Sequence, residues 1–286
     1  MKKILISGVN SYIGNSFEEW IKKYNNQYQI NTIDMRGNEW RSSSFEGYDA
    51  ILHVAAIVHK KEKKSMEHLY TKVNKDLPIE VAKKAKSEGV KQFVFMSSMS
   101  VYGIDEGIIS EDTIPNPKSK YGKSKLQAEK ELMLLNDKKF NISIIRPPMV
   151  YGENCVGNYS RLSKLAKRIF VFPEIKNQRS MIYIYNLCEF IRIIIEENVG
   201  GIFFPQNEEY VSTSELVRLI SNEHNLNIRF VKYVGCFIKL INISIVRKVF
   251  GNLTYKKELS KYKNINYNIF TLEKSIKRTE GQKNNE

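Results

Sequence analysis

Short apolar segments and amphipathic segments alternate along the first half of the chain. Apolar runs predict strands at residues 3–7, 28–33, 50–54, 91–96 and 142–145, and apolar residues at helical spacing predict helices at 12–24, 67–88 and 121–135. Such alternation implies crossover connections between parallel strands, with helices covering both faces of the sheet. The pattern therefore predicts an α/β fold built on a doubly wound parallel sheet.

The pattern loosens after Arg146-Pro147-Pro148. Helices are still indicated at residues 162–169, 187–197 and 214–223, and a strand at 181–185. We therefore expect a sheet domain at 1–152, rejoined by 176–200, and a small interleaved C-terminal region made of 153–175 and 201–286.

Composition and charge narrow the class of protein. The 286 residues are 42% hydrophobic and 27% charged, which is typical of a globular chain that forms its core without disulfides or metal. The net charge of +14 suits nucleic-acid binding, anionic small-molecule ligands or a lysine-rich surface. No segment interleaves basic and aromatic residues as nucleic-acid-binding elements do, so no nucleic-acid partner is predicted.

Three isolated cysteines and four scattered histidines, none at metal-ligand spacing, indicate a reducing compartment and no metal site. The apolar segment 233–250 is interrupted by Lys239, Arg247 and Lys248, so it predicts a core helix rather than a membrane span. The basic run at 60–64 predicts a solvated loop. Without a signal-peptide pattern, the sequence predicts a cytoplasmic protein with no integral membrane segment.

A glycine-containing turn links the first predicted strand to the first predicted helix. Gly8 and Gly14 frame the segment Gly8-Val9-Asn10-Ser11-Tyr12-Ile13-Gly14, in the strand–turn–helix setting that a dinucleotide-binding fingerprint requires. Backbone N–H groups at the start of such a helix face a diphosphate. Ser11 stands where a glycine is usual, and a plain β–α turn is the alternative interpretation.

Asp34 ends the second predicted strand, 20 residues after Gly14. A carboxylate here accepts hydrogen bonds from the adenosine ribose hydroxyls and repels a 2′-phosphate, which favours NAD. Arg36 is suited to pair with that phosphate, so NADP stays an open alternative. Trp40 is placed to pack either on an adenine or in the core. The turn and Asp34 together predict a Rossmann-type NAD(P)-binding domain.

Tyr121 and Lys125 lie one helical turn apart in the predicted helix at 121–135. A neighbouring ammonium and a positive nicotinamide ring lower the pKa of a tyrosine. The phenol then exchanges a proton with a sugar hydroxyl or carbonyl while hydride moves to or from the cofactor. A solvated helix face is the alternative interpretation of this pair.

Ser98 follows the strand predicted at 91–96, at the edge where ligands of open parallel sheets bind. Its hydroxyl is suited to hydrogen-bond the reacting oxygen and to hold it against Tyr121. Ser97 and Ser100 are weaker candidates, and turn-forming serines are the alternative.

Together these residues resemble the extended short-chain dehydrogenase/reductases, the NAD-dependent epimerase/dehydratase family. The resemblance runs along nearly the whole chain and is strongest at residues 3–185. Further segments that carry it are His53-Val54-Ala55-Ala56, Val73-Asn74, Val101-Tyr102-Gly103 and Arg146-Pro147-Pro148-Met149-Val150-Tyr151-Gly152.

The resemblance implies roles for individual residues. The catalytic residues would be Ser98, Tyr121 and Lys125. The cofactor-binding residues would be Gly8, Asn10, Ser11, Tyr12, Ile13, Gly14, Asp34, Met35, Arg36, Val54, Ala55, Ala56, Asn74, Tyr121, Lys125, Pro147, Met149 and Val150. Helix packing is the alternative role of Ala55 and Ala56, and a satisfied core amide is the alternative for Asn74.

Within this family the chain resembles bacterial enzymes of capsule and lipopolysaccharide synthesis that act at C4 of UDP-linked hexoses or 6-deoxy-N-acetylhexosamines. Segments 157–168 and 177–183 carry that similarity. It implies that a UDP-sugar is bound by Ser98, Ser100, Asn158 and Arg179, although an isolated surface arginine is the alternative for Arg179. Family members often dimerise, so a homodimer is expected.

Two reactions fit these residues. A C4 epimerase oxidises the sugar and returns the hydride on the other face, whereas a 4-keto reductase consumes NAD(P)H. The three catalytic candidates serve both. A non-catalytic NAD(P)-binding sensor protein is the alternative from another class, and it would need the glycine turn but not these three residues.

Sugar 4,6-dehydratases of this family carry an acidic pair directly after the catalytic serine or threonine position. Met99 and Ser100 occupy those positions here, and neither serves as an acid or a base. We therefore predict that the protein makes no 4-keto-6-deoxy product from UDP-N-acetylglucosamine. An NMR assay that detects this product would contradict the prediction.

Overall fold

The computed structural model describes residues 1–24, 26–58, 66–232 and 250–281. The chain forms two compact units. The first unit consists of Met1–Gly103, Ile114–Pro147 and Leu187–Pro205, and the second of Ile104–Thr113, Pro148–Asn186 and Gln206–Glu286. The assignment of cofactor binding to residues 1–152 and of substrate binding to the smaller region stays a prediction.

The secondary structure of the described residues is as follows. The strands are β1 (Lys2–Ser7), β2 (Tyr28–Ile33), β3 (Ala50–His53), β4 (Gln92–Met96), β5 (Gly107–Ile109), β6 (Asn141–Ile145), β7 (Met149–Tyr151), β8 (Val171–Pro173), β9 (Met181–Tyr183), β10 (Gly201–Phe203), β11 (Arg229–Val231) and β12 (Leu253–Tyr255). The α-helices are α1 (Tyr12–Ile21), α2 (Glu67–Thr71), α3 (Leu77–Ser87), α4 (Lys120–Met133), α5 (Asn158–Ala166), α6 (Ile184–Glu197), α7 (Thr213–Glu223), α8 (Lys257–Ser260) and α9 (Leu272–Glu280). Short 3-10 turns span Glu39–Arg41 and Met99–Tyr102, and a π-helical turn spans Lys72–Asp76.

The first unit is built on a six-stranded parallel sheet with the order β10-β6-β4-β3-β1-β2. The strand order reverses at β1, because the chain moves to β2 on one side and then to β3 on the other. Connections that leave such a switch point in opposite directions open a crevice at the carboxyl ends of the strands. The predicted Rossmann-type doubly wound sheet is thus confirmed.

The two central strands, β3 and β4, are buried along their full length. Every residue of β3 and β4 is buried, which requires helices on both faces of the sheet. The polar side chain of Gln92 is also buried, and its amide nitrogen is satisfied because it donates to Ser143 Oγ and to the Ile194 carbonyl, both at 2.9 Å. Helices α3 and α4 contribute Val81, Ala82, Ala85, Ala128 and Leu132 to the core.

Within its described residues, the second unit contains three parallel strand pairs, β5 with β12, β7 with β9 and β8 with β11. Its helices are tied together by the buried carboxylate of Glu280, at the end of α9. This carboxylate accepts hydrogen bonds from Tyr159 Oη at 2.9 Å and Ser163 Oγ at 3.0 Å, both on α5. It also pairs with His224 Nε2 at 2.8 Å, directly after α7.

Several element boundaries differ from those expected. Helix α1 ends at Ile21 rather than at residue 24, and α6 begins at Ile184 rather than at residue 187. The helix predicted at 67–88 is interrupted by the π-helical turn Lys72–Asp76. The helix predicted at 162–169 spans Asn158–Ala166, and its buried face is formed by Tyr159, Ser163 and Ala166. The strand predicted at 181–185 ends at Tyr183, where α6 begins directly.

Some predicted features lie outside the described residues. These are the basic run at 60–64 and most of the core helix predicted at 233–250. Among the residues that are described, no helix is long and apolar enough to cross a membrane.

His53 gives the first unit a specific pH dependence. Its ring is fully buried, its Nδ1 lies 2.7 Å from Ser7 Oγ, and it stacks on Phe93 and Phe95. Burial lowers the pKa of His53 to about 3, with help from the nearby Lys125. The unfolded chain takes up this proton near pH 6.5 and the folded chain does not, so stability is lost as the pH falls from 6.5 towards 3.

We predict that the free energy of unfolding in urea falls by up to about 1.4 kcal/mol per pH unit in this window because of His53 alone. A His53→Asn variant, which keeps a polar group facing Ser7, should show a shallower dependence. The exposed His68 offers a control variant, His68→Asn. Parallel stability curves for His53→Asn and the unmodified protein would contradict the assignment.

Candidate active site

The turn between β1 and α1 lies tightly against the end of β3. Gly8 has a φ of +128°, and a Cβ at this position would lie 2.8 Å from the Ala55 backbone nitrogen. The N–H groups of Val54 and Ala55 both donate to the Ser7 carbonyl, at 3.1 and 3.0 Å. Glycine is therefore required at position 8, both for its conformation and for this close approach. Ala56 is partly exposed next to the turn.

Helix α1 starts directly behind this turn. Ser11 is its N-cap and accepts a hydrogen bond from the Gly14 nitrogen at 3.2 Å. A Cβ on Gly14 would lie within 3.3 Å of methyl carbons of Ile6 and Val54, so glycine lets α1 pack directly on β1 and the end of β3. The first N–H groups of a helix have no partner within it, so this start fits an anionic diphosphate. Around the turn, three further predicted residues are partly or fully exposed: Asn10, Tyr12 and Ile13.

Asp34 follows β2 and is paired with Arg36. The Arg36 Nε donates to both carboxylate oxygens, at 3.0 and 2.9 Å, and its Nη2 donates to Oδ2 at 2.5 Å. These bonds lower the pKa of Asp34 to about 2, so it is ionised at neutral pH. Met35 and Trp40, in contrast, are buried in the core of the first unit, so core packing is the role of Trp40 in the protein.

The 3-10 turn Met99–Tyr102 begins where β4 ends. Ser98 is its N-cap, and its Oγ accepts from the Ser100 nitrogen at 3.1 Å and donates to Ser100 Oγ at 3.0 Å. Ser98 is partly exposed, whereas Ser97 is buried and donates to the Glu129 carboxylate. Successive residues of an extended segment point to opposite sides, which explains the different surroundings of the two serines.

Tyr121 lies in the first turn of α4, within hydrogen-bonding reach of Ser98. Burial raises the pKa of Tyr121 to about 12, and the hydrogen bond with Ser98 acts in the opposite direction. The sequence predicts that Lys125 lowers this pKa. In the structure the pKa is raised by burial and by the nearby Tyr70 and Glu129, so the expected lowering by Lys125 is not seen.

Lys125 is almost fully buried, and its Nζ donates to the Met96 carbonyl at 2.7 Å and lies 4.3 Å from the centre of the Phe95 ring. Burial lowers the pKa of Lys125 to about 7, although the nearby Glu129 favours its charged form. The lysine is thus held at the last residue of β4, one helical turn from Tyr121, and its charge changes near neutral pH.

A buried ion pair, which the sequence analysis missed, holds α4 to the end of β6. Arg146 Nη2 lies 2.5 Å from Glu129 Oε2, and both side chains are at most 7% exposed. Arg146 also donates to Tyr102 Oη at 2.9 Å, and Ser97 donates to Glu129. A sequence signal was present, because Glu129 lies one turn after Lys125 on the same face of the helix.

Asn74 connects three segments of the first unit. Its Oδ1 accepts from the Ile57 nitrogen at 2.8 Å, and its Nδ2 donates to the Ile57 carbonyl at 3.1 Å and to Ser124 Oγ at 3.3 Å. It is fully buried in the π-helical turn. Its amide therefore holds the chain after β3 against the α4 turn that carries Tyr121 and Lys125.

The predicted residues near the end of β6 fall in both units. Pro147 belongs to the first unit, and its carbonyl accepts from the Met99 nitrogen at 3.0 Å, which extends the pairing of β4 and β6 beyond the sheet. Met149 and Val150 belong to the second unit, where they form part of β7.

The two predicted UDP-binding residues also lie in the second unit. Asn158 is exposed at the first position of α5. Arg179 is partly buried, and its Nη1 donates to the Gly251 carbonyl at 3.0 Å. Burial lowers the pKa of this guanidinium, while Asp105 and Glu106 oppose the shift. Arg179 is therefore held by its surroundings and is not an isolated surface arginine.

Comparison with solved structures supports the fold. The chain superposes on a UDP-glucuronic acid 4-epimerase from Bacillus cereus in complex with NAD with a TM-score of 0.71, at 18% identity and covering 96% of both chains. It superposes on a dTDP-4-dehydrorhamnose reductase from Bacillus anthracis str. Ames in complex with NADP with a TM-score of 0.69, at 19% identity and 98% coverage of both chains.

Sequence comparison identifies the family. The chain is 31% identical over 246 residues to a UDP-glucose 4-epimerase of Vibrio cholerae, covering 76% of this chain and 74% of that protein. It is also 31% identical over 173 residues to the N-acetyl-alpha-D-glucosaminyl-diphospho-ditrans,octacis-undecaprenol 4-epimerase of Escherichia coli O157:H7, covering 59% of this chain and 52% of that protein. The sequence profile of one family matches residues 4–204. The chain belongs to the NAD dependent epimerase/dehydratase family.

Proposed function

We propose that the protein is an NAD-dependent C4 epimerase of a UDP-hexose or a UDP-N-acetyl-6-deoxyhexosamine in surface polysaccharide synthesis. The observation that carries the proposal is the position of Tyr121, at the start of α4, next to Ser98 beyond the carboxyl end of β4. Two hydroxyls held together at the ligand-binding edge of a Rossmann-type sheet are suited to proton transfer at a sugar oxygen. The Vibrio cholerae relative, a UDP-glucose 4-epimerase, supports this reaction.

Tyr121 is the proposed acid–base group, and Ser98 orients the C4 oxygen of the sugar. A phenol with a pKa of about 12 gives up its proton readily only when positive charge lies nearby. Protonated Lys125 supplies such charge from one helical turn away. Because the pKa of Lys125 is about 7, this contribution weakens as the pH rises through neutrality.

NAD is the proposed cofactor, and it supplies the hydride acceptor and donor at C4. The start of α1 would receive its diphosphate, and Asp34 would accept hydrogen bonds from its adenosine ribose. Arg36 is already bound to Asp34, and a 2′-phosphate would have to break that pairing, which favours NAD over NADP. Further proposed cofactor contacts are Val54, Ala55, Ala56, Asn74, Pro147, Met149 and Val150.

Arg179 and Asn158 are the proposed contacts of the UDP group. A planar guanidinium is well suited to a diphosphate. The position of Arg179 supports this role, because a partly buried cation that is held in place loses less freedom when it binds an anion. Ser100, whose hydroxyl accepts from Ser98, is the remaining proposed substrate contact.

A second candidate substrate carries the same diphosphate-linked sugar on a membrane lipid rather than on uridine. The name of the Escherichia coli relative describes such a substrate, an undecaprenol-linked sugar diphosphate. The redox chemistry at C4 would be the same for both carriers.

We also expect the protein to act as a cytoplasmic homodimer. A non-catalytic NAD(P)-binding sensor would have no use for the arrangement of Ser98, Tyr121 and Lys125 beyond the sheet edge, so catalysis is the stronger proposal.

The proposal is tested by incubating the protein with UDP-glucose, UDP-galactose and their N-acetyl and 6-deoxy counterparts, and by following the C4 proton by NMR. We expect inversion at C4 of one of these sugars without added NADH. Consumption of NADH only with a 4-keto sugar would instead identify a reductase. Tight NAD binding without turnover on either set would favour a sensor.

A Tyr121→Phe variant separates catalysis from folding and cofactor binding. We predict that kcat falls by about 10²–10⁴-fold, as expected for the loss of an acid–base group, while NAD binding measured by calorimetry is retained. Tyr48→Phe is the matched control, because it removes a hydroxyl from another partly buried tyrosine of the first unit. Unchanged turnover of Tyr121→Phe would refute the assignment.

The separation of Tyr121 and Ser98 depends on Gly122. A Cβ on Gly122 would lie 2.5 Å from the Ser100 carbonyl oxygen, so glycine lets α4 approach the 3-10 turn. We predict that Gly122→Ala displaces Tyr121 and lowers kcat, by up to about 10²-fold for a shift near 1 Å, with NAD affinity changed far less. The control is Lys123→Ala, at an exposed position of the same turn. Equal kcat values in the two variants would contradict the argument.

A further inference from the structure

Strand β12 of the second unit lies between β5 and Arg179. On one side Leu253 of β12 pairs with Gly107 of β5, and on the other side it forms a parallel bridge with Arg179. Backbone hydrogen bonds hold both neighbours in place. The Gly107 nitrogen donates to the Asn252 carbonyl at 2.6 Å, and the Leu253 nitrogen donates to the Gln178 carbonyl at 2.9 Å. The segments before β5 and before β12 are therefore adjacent to the segment that carries Arg179.

The side chain of Arg179 is directed towards the start of β12. Its Nη1 donates to the Gly251 carbonyl at 3.0 Å, and the same carbonyl accepts from Asn177 Nδ2 at 3.3 Å. This bond uses one of the five N–H groups of the guanidinium. The guanidinium is thus fixed two residues before Leu253, at the end of β12 that is next to the start of β5.

Two carboxylates lie at this place. Asp105 and Glu106 directly precede β5, and Asp105 is partly buried whereas Glu106 is exposed. Burial lowers the pKa of Arg179, and the negative charges of Asp105 and, to a smaller extent, of Glu106 act in the opposite direction. Water screens a partly buried charge less than an exposed one, so Asp105 is the stronger of the two counter-charges.

These carboxylates affect any anion that binds to Arg179. A diphosphate on the guanidinium gains the attraction of the positive charge and is repelled by the carboxylates beside it. Ionised carboxylates only accept hydrogen bonds, as phosphate oxygens do, so the two anions cannot bond to each other directly. Like charges placed side by side weaken binding, and a diphosphate is therefore held less tightly than it would be by Arg179 alone.

We propose that Asp105 is an internal counter-ion of Arg179 that competes with the diphosphate of the substrate, with a smaller contribution from Glu106. The inference rests on the proposed function in one respect, namely the role of Arg179 as a contact of the UDP group. In an epimerase the substrate and the product carry the same diphosphate. Tighter binding of both would lower KM without raising kcat, so the counter-ion keeps the UDP group exchangeable without a cost to the chemical step.

Calorimetric binding of UDP to the NAD-loaded protein tests the competition. Asp105→Asn removes the charge and keeps the size of the side chain, and we expect the Kd for UDP to fall by about 3–10-fold. Adding Glu106→Gln should lower it further. The difference from the unmodified protein should shrink with added salt, because salt screens the repulsion.

Two control variants accompany this measurement. Asp112→Asn removes the same charge from an exposed position of the same segment, and Asp112 is not among the charges that act on Arg179. Asp105→Glu keeps the charge at position 105. Both should bind UDP as the unmodified protein does. A gain of affinity restricted to Asp105→Asn cannot result from damage to the fold, since damage weakens binding.

Steady-state kinetics give a second measurement. With the UDP-sugar that the protein accepts, KM should fall in Asp105→Asn in parallel with the Kd for UDP, and kcat should not rise. A higher kcat with an unchanged KM would contradict the proposal, because it would place Asp105 in the chemical step.

Three binding results would overturn the proposal. Unchanged UDP affinity of Asp105→Asn would show that the carboxylate does not compete with the diphosphate. Weaker binding would show that Asp105 supports the guanidinium in its binding position. Binding of UDP that is tightened by Mg²⁺ in the unmodified protein, but not in Asp105→Asn, would identify a cation that bridges carboxylate and diphosphate.

Arg179→Gln separates this inference from the proposed function. We expect this variant to bind UDP more weakly and to abolish the effect of Asp105→Asn in the double variant. If Arg179→Gln weakens binding but Asp105→Asn changes nothing, the counter-ion is refuted and the UDP contact stands. If Arg179→Gln binds UDP normally, the contact is refuted and the counter-ion with it. The expected affinities without inversion at C4 would refute the proposed reaction alone.

Discussion

The buried ion pair between Arg146 and Glu129 is the interaction on which the arrangement of the candidate active site depends. It joins the end of β6 to the middle of α4, and it also takes up the hydroxyls of Ser97 and Tyr102. Removing one partner of such a pair leaves an uncompensated buried charge and costs about 3–5 kcal/mol. The ion pair thereby fixes the position of α4 relative to the sheet, and it fixes the position of Tyr121, which lies on this helix.

The fold was largely predictable because it follows from local patterns. Continuous apolar runs mark the buried parallel strands, and the turn from Gly8 to Gly14 has a local conformation and close contacts that only certain residues allow. The candidate catalytic residues were likewise identified from short motifs. The bounds of α5 were predicted less well, because the buried Tyr159 near its start lies outside the segment predicted as a helix.

The remaining features depend on contacts between distant parts of the chain. The hydrogen bonds of Asn74 to Ile57 and Ser124 join residues that are 17 and 50 positions apart. Because these residues are distant in the sequence, no local pattern predicts the bonds. The burial that raises the pKa of Tyr121 and lowers that of Lys125 is likewise a property of the folded unit. The net charge of +14 is another example. The sequence gives the number of basic residues, but only the structure shows which of them lie near exposed apolar side chains.

In the proposed reaction, hydride leaves C4 of the sugar and returns to it within one active site. The most direct test uses the accepted UDP-sugar labelled with deuterium at C4, incubated with the protein and an excess of unlabelled NADH in solution. The proposed reaction gives an epimer that retains deuterium at C4, because the same hydride is returned before the cofactor exchanges. An epimer that carries hydrogen at C4, or inversion with deuterium displaced to another carbon, would contradict it.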